Sequence, residues 1–147
     1  MADEFAKLSD KQLLTLLIYG EARGEPVEGQ IAVACVARNR VKSFKWGGTW
    51  TAVILQPSQF SCFNKDDPNY VKLLRIAEGT FDEPLILKQT IWVAEGVLYD
   101  RCLDNTKGAT HYVTETLYNS PEKPLWINRL KVTVRIGSHV FMKEALS

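Results

Sequence analysis

The chain has 147 residues, enough for about one domain with its own core. Apolar residues make up 46%, and 18 lysines and arginines nearly balance 17 acids, so there is no basic surplus of the kind nucleic-acid binding uses. The longest purely apolar run, "IAVACVA", is far too short to span a bilayer, and "MADEFAKLSDK" lacks the long apolar stretch of a secretory signal.

Ser9 and Gln12 have the spacing of a capping box, with Leu8 placed to staple onto Leu13. Leu13, Leu17 and Glu21 then recur at four-residue steps beside Leu16 and Gly20, which puts a carboxylate on an apolar helix face. Gly24 predicts the stop. Pro26 opens a second helix to about Val41, whose centre is apolar nearly all round, as in a buried helix. The "RGEP" corner packs the end of the first helix close to the start of the second. Thr49 caps a short helix through Leu55, and "QPSQFSCFNKDDPN" (Gln56 to Asn69) reads as a long structured loop. Asp67-Pro68 starts a short helix to about Glu78. A further helix is expected from Pro84 to Leu103, with the stripe Leu87, Ile91, Ala94, Leu98 and Cys102. "ATHYVT" (Ala109 to Thr114) is strand-like, and "KVTVRIGSHVFMK" reads as two strands around a Gly137-Ser138 turn. Helices first and a small antiparallel sheet last predict an α+β fold, with residues 1–147 as a single domain.

Glu21 is the chemical oddity. On a leucine face it is either a rim glutamate paired with Arg23 or Lys45, or an acid inside a cleft. Arg23 lies two helical steps on, about 200° away, and should point elsewhere. Burial disfavours the charged form of a carboxyl group, and a protonated carboxylic acid can donate to a leaving glycosidic oxygen. Glu25 and Glu28 sit at the start of the second helix, where they favour its dipole. Gln30 enters that helix early and is a candidate donor to sugar hydroxyls. Trp46, Trp50, Phe60, Phe63, Tyr112, Tyr118 and Trp126 lie in loops or at element ends, as stacking on sugar rings would need, and Gln59 and Asn64 supply amides. Each of these aromatics has core packing as its alternative role. Three cysteines, Cys35, Cys62 and Cys102, form no disulfide or zinc pattern. Cys62 with His111 or His139 is a rival constellation, the nucleophile and base of a cysteine peptidase. There is no HExxH, Walker loop or dinucleotide fingerprint.

"YGEARGEPVEGQIAVACVARNRV", "QPSQFSCF", "GATHYV" and "IGSHVFMK", in this order, resemble the spore cortex-lytic, or SleB-type, cell-wall hydrolase family from Leu13 to Lys143. The resemblance implies a fold similar to lytic transglycosylases and goose-type lysozymes. It also implies cleavage of peptidoglycan glycan strands between N-acetylmuramic acid and N-acetylglucosamine. Carried over, the catalytic glutamate is Glu21, while Gln59, Phe60, Ser61 and Tyr112 lie along the cleft. With Gln30 and Trp126 they make up the expected substrate-binding set. No metal or cofactor is expected, the partner is the glycan strand, and the chain should act as a monomer without membrane insertion. Two features depart from the family pattern. Neither a secretion signal nor a peptidoglycan-binding domain is present in the sequence, which suits a phage endolysin made in the host cytoplasm or a trimmed secreted enzyme. Phe63 also stands where a tryptophan often follows the cysteine, keeping a stacking face but losing the indole donor. A non-catalytic glycan-binding module is the remaining alternative.

Overall fold

The computed structural model describes residues 3–57, 59–79 and 84–145. The helical body comprises α1 (Asp10–Ala22), α2 (Val27–Ser43), α3 (Trp50–Ile54), α4 (Tyr70–Ala77) and α5 (Pro84–Leu98). After it come β1 (His111–Thr114), the single turn α6 (Glu115–Tyr118), β2 (Leu130–Ile136) and β3 (His139–Glu144). The three strands form an antiparallel sheet in the order β1-β3-β2. Among the described residues, no helix is long and apolar enough to cross a membrane.

The Ser9 capping box forms as the spacing predicts, with Gln12 N–H donating to Ser9 Oγ at 3.2 Å and Ser9 N–H to Gln12 Oε1 at 2.9 Å. α1 buries Leu13, Leu14, Leu16, Leu17, Ile18 and Tyr19. The helix stops just before Gly24, as predicted, but without a left-handed glycine. Arg23 stays right-handed at the C-cap, the Glu25 N–H returns to the Ala22 carbonyl at 2.9 Å, and Pro26 follows as the N-cap of α2. α2 is buried through its centre, from Ala32 to Arg38, and closes later than expected, at Phe44 with φ 63°. α3 is capped by Thr49 through the Ala52 N–H at 3.1 Å. The predicted loop contains one turn of 3-10 helix, Ser61–Phe63, and α4 starts at Tyr70 rather than at Asp67-Pro68.

α5 is shorter than its pattern suggests. Asp100 turns left-handed at φ 57°, and the Arg101 and Cys102 N–H groups both return to the Gly96 carbonyl. Cys102 therefore lies beyond the helix. The buried face of α5 is Thr90, Val93, Ala94 and Val97, while Leu87, Ile91 and Leu98 are only half-buried. Thr90 tolerates burial because its hydroxyl donates to the Ile86 carbonyl at 2.8 Å, so a residue that reads as polar faces the core. Arg38, buried on α2, donates to the Val97 and Cys102 carbonyls and to Asp100, satisfying the end of α5.

The hairpin turn at Gly137-Ser138 is where the sheet meets the helical corner. Ser138 donates to Glu25 from its N–H at 2.8 Å and its hydroxyl at 2.7 Å. Gly137 has φ 58°, and a Cβ there would collide with the Glu25 carboxylate, so the position requires glycine. Burial opposes ionisation of Glu25, but the two Ser138 bonds and the neighbouring His139 outweigh it and hold the carboxyl below its ordinary range. A depressed folded-state value gives stability that is present above the unfolded value and fades as pH falls through the folded one. Glu25→Ala should cost about 1–3 kcal/mol at neutral pH. In urea titrations from about pH 7 to about pH 3, that variant should lose less stability than the parent. An equal acid loss in both proteins would show that the Glu25 clasp does not contribute.

Candidate active site

Glu21 projects from the last turn of α1 into a groove of about 740 Å³ between the helical body and the sheet. It is half-buried. The Tyr112 hydroxyl on β1 donates to its Oε1 at 2.6 Å, and the Cys62 N–H, in the 3-10 turn, reaches Oε2 at 3.4 Å. Each oxygen thus has one neutral donor. Both partners that a rim glutamate would have used are engaged elsewhere. Arg23 donates to the Tyr19 carbonyl and to Asn69 Oδ1 and lies over the Tyr19 ring, and Lys45 pairs with Glu144. Among the described residues Glu21 forms no ion pair.

The same groove is lined by Gln59, Phe60, Ser61, Tyr112 and Trp126. Gln59 and Ser61 are exposed, and Trp126 is 43% exposed, leaving a free ring face. The Trp126 ring lies 5.6 Å from His111, which also lines the groove and packs against Trp46 behind it at 5.9 Å. Burial, and then the Arg40 charge, push His111 down to about 4, so it is neutral near pH 7.

Gln30 is a correction. It is completely buried, and its amide donates to Gln89 Oε1 at 3.0 Å and to the Glu25 carbonyl at 3.3 Å, away from the groove. Its place in the first turns of a helix buried all round directs it to α5 rather than to substrate. Phe63 also turns inward, packing edge-on against Phe5 with ring centroids 5.3 Å apart, so it offers the groove no stacking face. Trp50 packs against the core. Glu25, expected only to favour a helix dipole, clasps the hairpin instead.

Sequence reasoning missed Arg40, which lines the groove from α2. Its Nε donates to the Thr110 carbonyl at 2.7 Å and its Nη1 to Gln59 Oε1 at 2.9 Å. The signal lay in two arginines, Arg38 and Arg40, just after the apolar centre of a helix expected to be buried.

Cys62 is a poor nucleophile. It is fully buried against Gly20, and burial, followed by the Glu21 charge, raises its thiol well above the ordinary range. Burial likewise lowers His139, which is packed against Tyr112. Among the described residues, no group of three or more His, Cys, Asp or Glu side chains is placed to hold a metal ion.

A helical body and a small antiparallel sheet, closing a groove over a helix-borne glutamate, give the lysozyme-like class of α+β fold. Two solved structures match it. The catalytic domain of a germination-specific lytic transglycosylase, SleB, from Bacillus anthracis aligns with a TM-score of 0.61 and 28% identity, covering 93% of this chain and 98% of that one. The catalytic domain of the Bacillus cereus SleB protein aligns with a TM-score of 0.60 and 29% identity, covering 91% and 89%. The chain belongs to the cell wall hydrolase family, which it matches over residues 24–142, a span that begins just after Glu21. The spore cortex-lytic enzyme of Bacillus subtilis is 31% identical over 135 residues, 90% of this chain and 37% of that protein. That of Oceanobacillus iheyensis is 49% identical over 53 residues, 36% of this chain and 19% of that protein. The chain thus aligns with little more than a third of these relatives at most.

Proposed function

We propose that the protein cuts peptidoglycan glycan strands between N-acetylmuramic acid and N-acetylglucosamine as a lytic transglycosylase, with Glu21 as acid and then base. The observation that carries this reading is Glu21 itself: half-buried in a groove, oriented by Tyr112, and in no ion pair among the described residues. Protonated Glu21 gives its proton to the glycosidic oxygen as the bond from C1 to that oxygen breaks. The oxocarbenium-like C1 is then attacked by the C6 hydroxyl of the same muramic acid. The Glu21 carboxylate takes the hydroxyl proton, and the acid is restored. No second carboxylate is required, because the nucleophile is intramolecular and already in place. Most glycosidases, by contrast, use two. Gln59, Ser61 and Tyr112 line the groove where hydrogen bonds would hold acetamido groups and steady the developing charge, and Trp126 offers a ring face to a sugar.

The similarity to spore cortex-lytic enzymes and to a SleB lytic transglycosylase catalytic domain supports this reading. A cysteine peptidase is disfavoured by the buried, raised Cys62 thiol. The test is digestion of purified sacculi by a Cys62→Ala protein whose thermal unfolding shows it to be folded, since the buried thiol is out of reach of alkylating reagents. Soluble glycan fragments should appear at close to the parent rate. Binding without release by the parent would favour a non-catalytic module, and loss of release by the folded Cys62→Ala protein would favour the thiol.

A further inference from the structure

Arg40 is 5% exposed, yet it borders the groove that holds Glu21. Its guanidinium lies between two aromatic rings, 4.9 Å from the Trp46 centroid and 5.4 Å from that of Phe60. The bond from Nε to the Thr110 carbonyl fixes its plane. Among the described residues it forms no ion pair. Burial lowers it to about 10, so it stays cationic at neutral pH. The groove therefore contains a rigid positive charge with no ion-pair partner among the described residues; of the carboxylates that line the same groove, Glu21 accepts from Tyr112 and the Cys62 N–H, and Glu144 pairs with Lys45.

That charge determines how Gln59 presents itself. A guanidinium has only donors, so the group it meets on Gln59 must be the amide oxygen, as observed at 2.9 Å. The amide nitrogen is thereby turned away from Arg40. Among the described residues no protein acceptor is recorded for it, and the exposed Gln59 side chain borders the groove. The wall thus offers donors backed by a fixed cation. Such a wall receives a neutral carbonyl oxygen and repels an ammonium group.

We propose that Arg40 is a positioning residue that holds Gln59 as a hydrogen-bond donor and makes the groove select 2-acetamido sugars over their cationic, N-deacetylated counterparts. This rests on the glycan-cleavage reading above. A site built to hydrogen-bond one substituent discriminates strongly against a ligand that lacks it, because its polar groups are left unpaired.

The experiment compares kcat/KM on N-acetylated glycan strands and on the same strands after N-deacetylation. The parent should favour the acetylated polymer by at least about tenfold. Gln59→Glu, at an exposed position, pairs a carboxylate with Arg40 and leaves only acceptors for substrate. It should lose at least about tenfold on the acetylated polymer and much less on the deacetylated one, collapsing the preference. Arg40→Met should also narrow the preference, chiefly through KM, while Arg40→Lys should retain most of it. Equal rates of the parent on both polymers would overturn the proposal. So would the same proportional loss on both polymers in Gln59→Glu and Arg40→Met, since a merely structural role predicts that. A parent inactive on both would refute the glycan-cleavage reading first, and this assignment with it.

Discussion

Glu21→Gln is expected to cut peptidoglycan turnover by at least about a hundredfold, the usual contribution of a placed acid, with the fold unchanged. The amide has nearly the same shape and keeps an oxygen to accept the 2.6 Å bond from the Tyr112 hydroxyl, giving up only the long 3.4 Å contact from the Cys62 N–H. What it lacks is a proton to give and a basic oxygen to take one back. Because one residue serves both halves of the proposed reaction, both halves fail together. The loss should fall on kcat, since the groove and its binding residues are untouched. Initial rates of soluble fragment release, with thermal unfolding of the two proteins compared, provide the check. Near-normal turnover by a folded Glu21→Gln protein would rule out the assignment.

The second large effect is structural and lies one residue away. Gly20→Ala should destabilise the protein by about 1–3 kcal/mol, because the added methyl overpacks a filled core. A Cβ on Gly20 would sit 2.6 Å from both Cβ and Sγ of the buried Cys62, a separation real side chains do not adopt. The melting temperature should fall by about 3–10 °C. The same shift would move the Cys62 N–H, which reaches Glu21 Oε2, so activity should fall even where the protein remains folded. A double-mutant cycle with Cys62→Gly tests the cause: the pair should cost less than the sum of the singles. Strict additivity would mean that the two residues do not meet in this way.

Much of this arrangement is legible in the chain because it depends on local rules. The Ser9 and Thr49 caps, the buried α2 and the Gly137-Ser138 turn follow from residue type and spacing. Glu21 stands out because a carboxylate breaks an apolar period. What the sequence concealed depends on partners distant in the chain. Gln30 looks like a groove donor until Gln89, far along in α5, supplies its acceptor. Glu25 looks like a dipole partner until the hairpin turn arrives to bond it. Arg38 and Arg40 carry no sign of their partners in the sequence, and each is buried by carbonyls and rings from other elements. The α5 stripe holds at Ala94, but the deeper face is shifted toward Val93 and Val97, and Thr90 joins it because its hydroxyl is satisfied within the helix.

The central claim is that one carboxyl group serves as acid and base while the sugar supplies its own nucleophile. The most direct test is the mass of soluble fragments released from purified peptidoglycan by the unmodified protein. The account predicts chains ending in 1,6-anhydromuramic acid, one water lighter than the hydrolysis product. Fragments carrying only reducing ends would contradict it, because water would then have taken the place of the C6 hydroxyl.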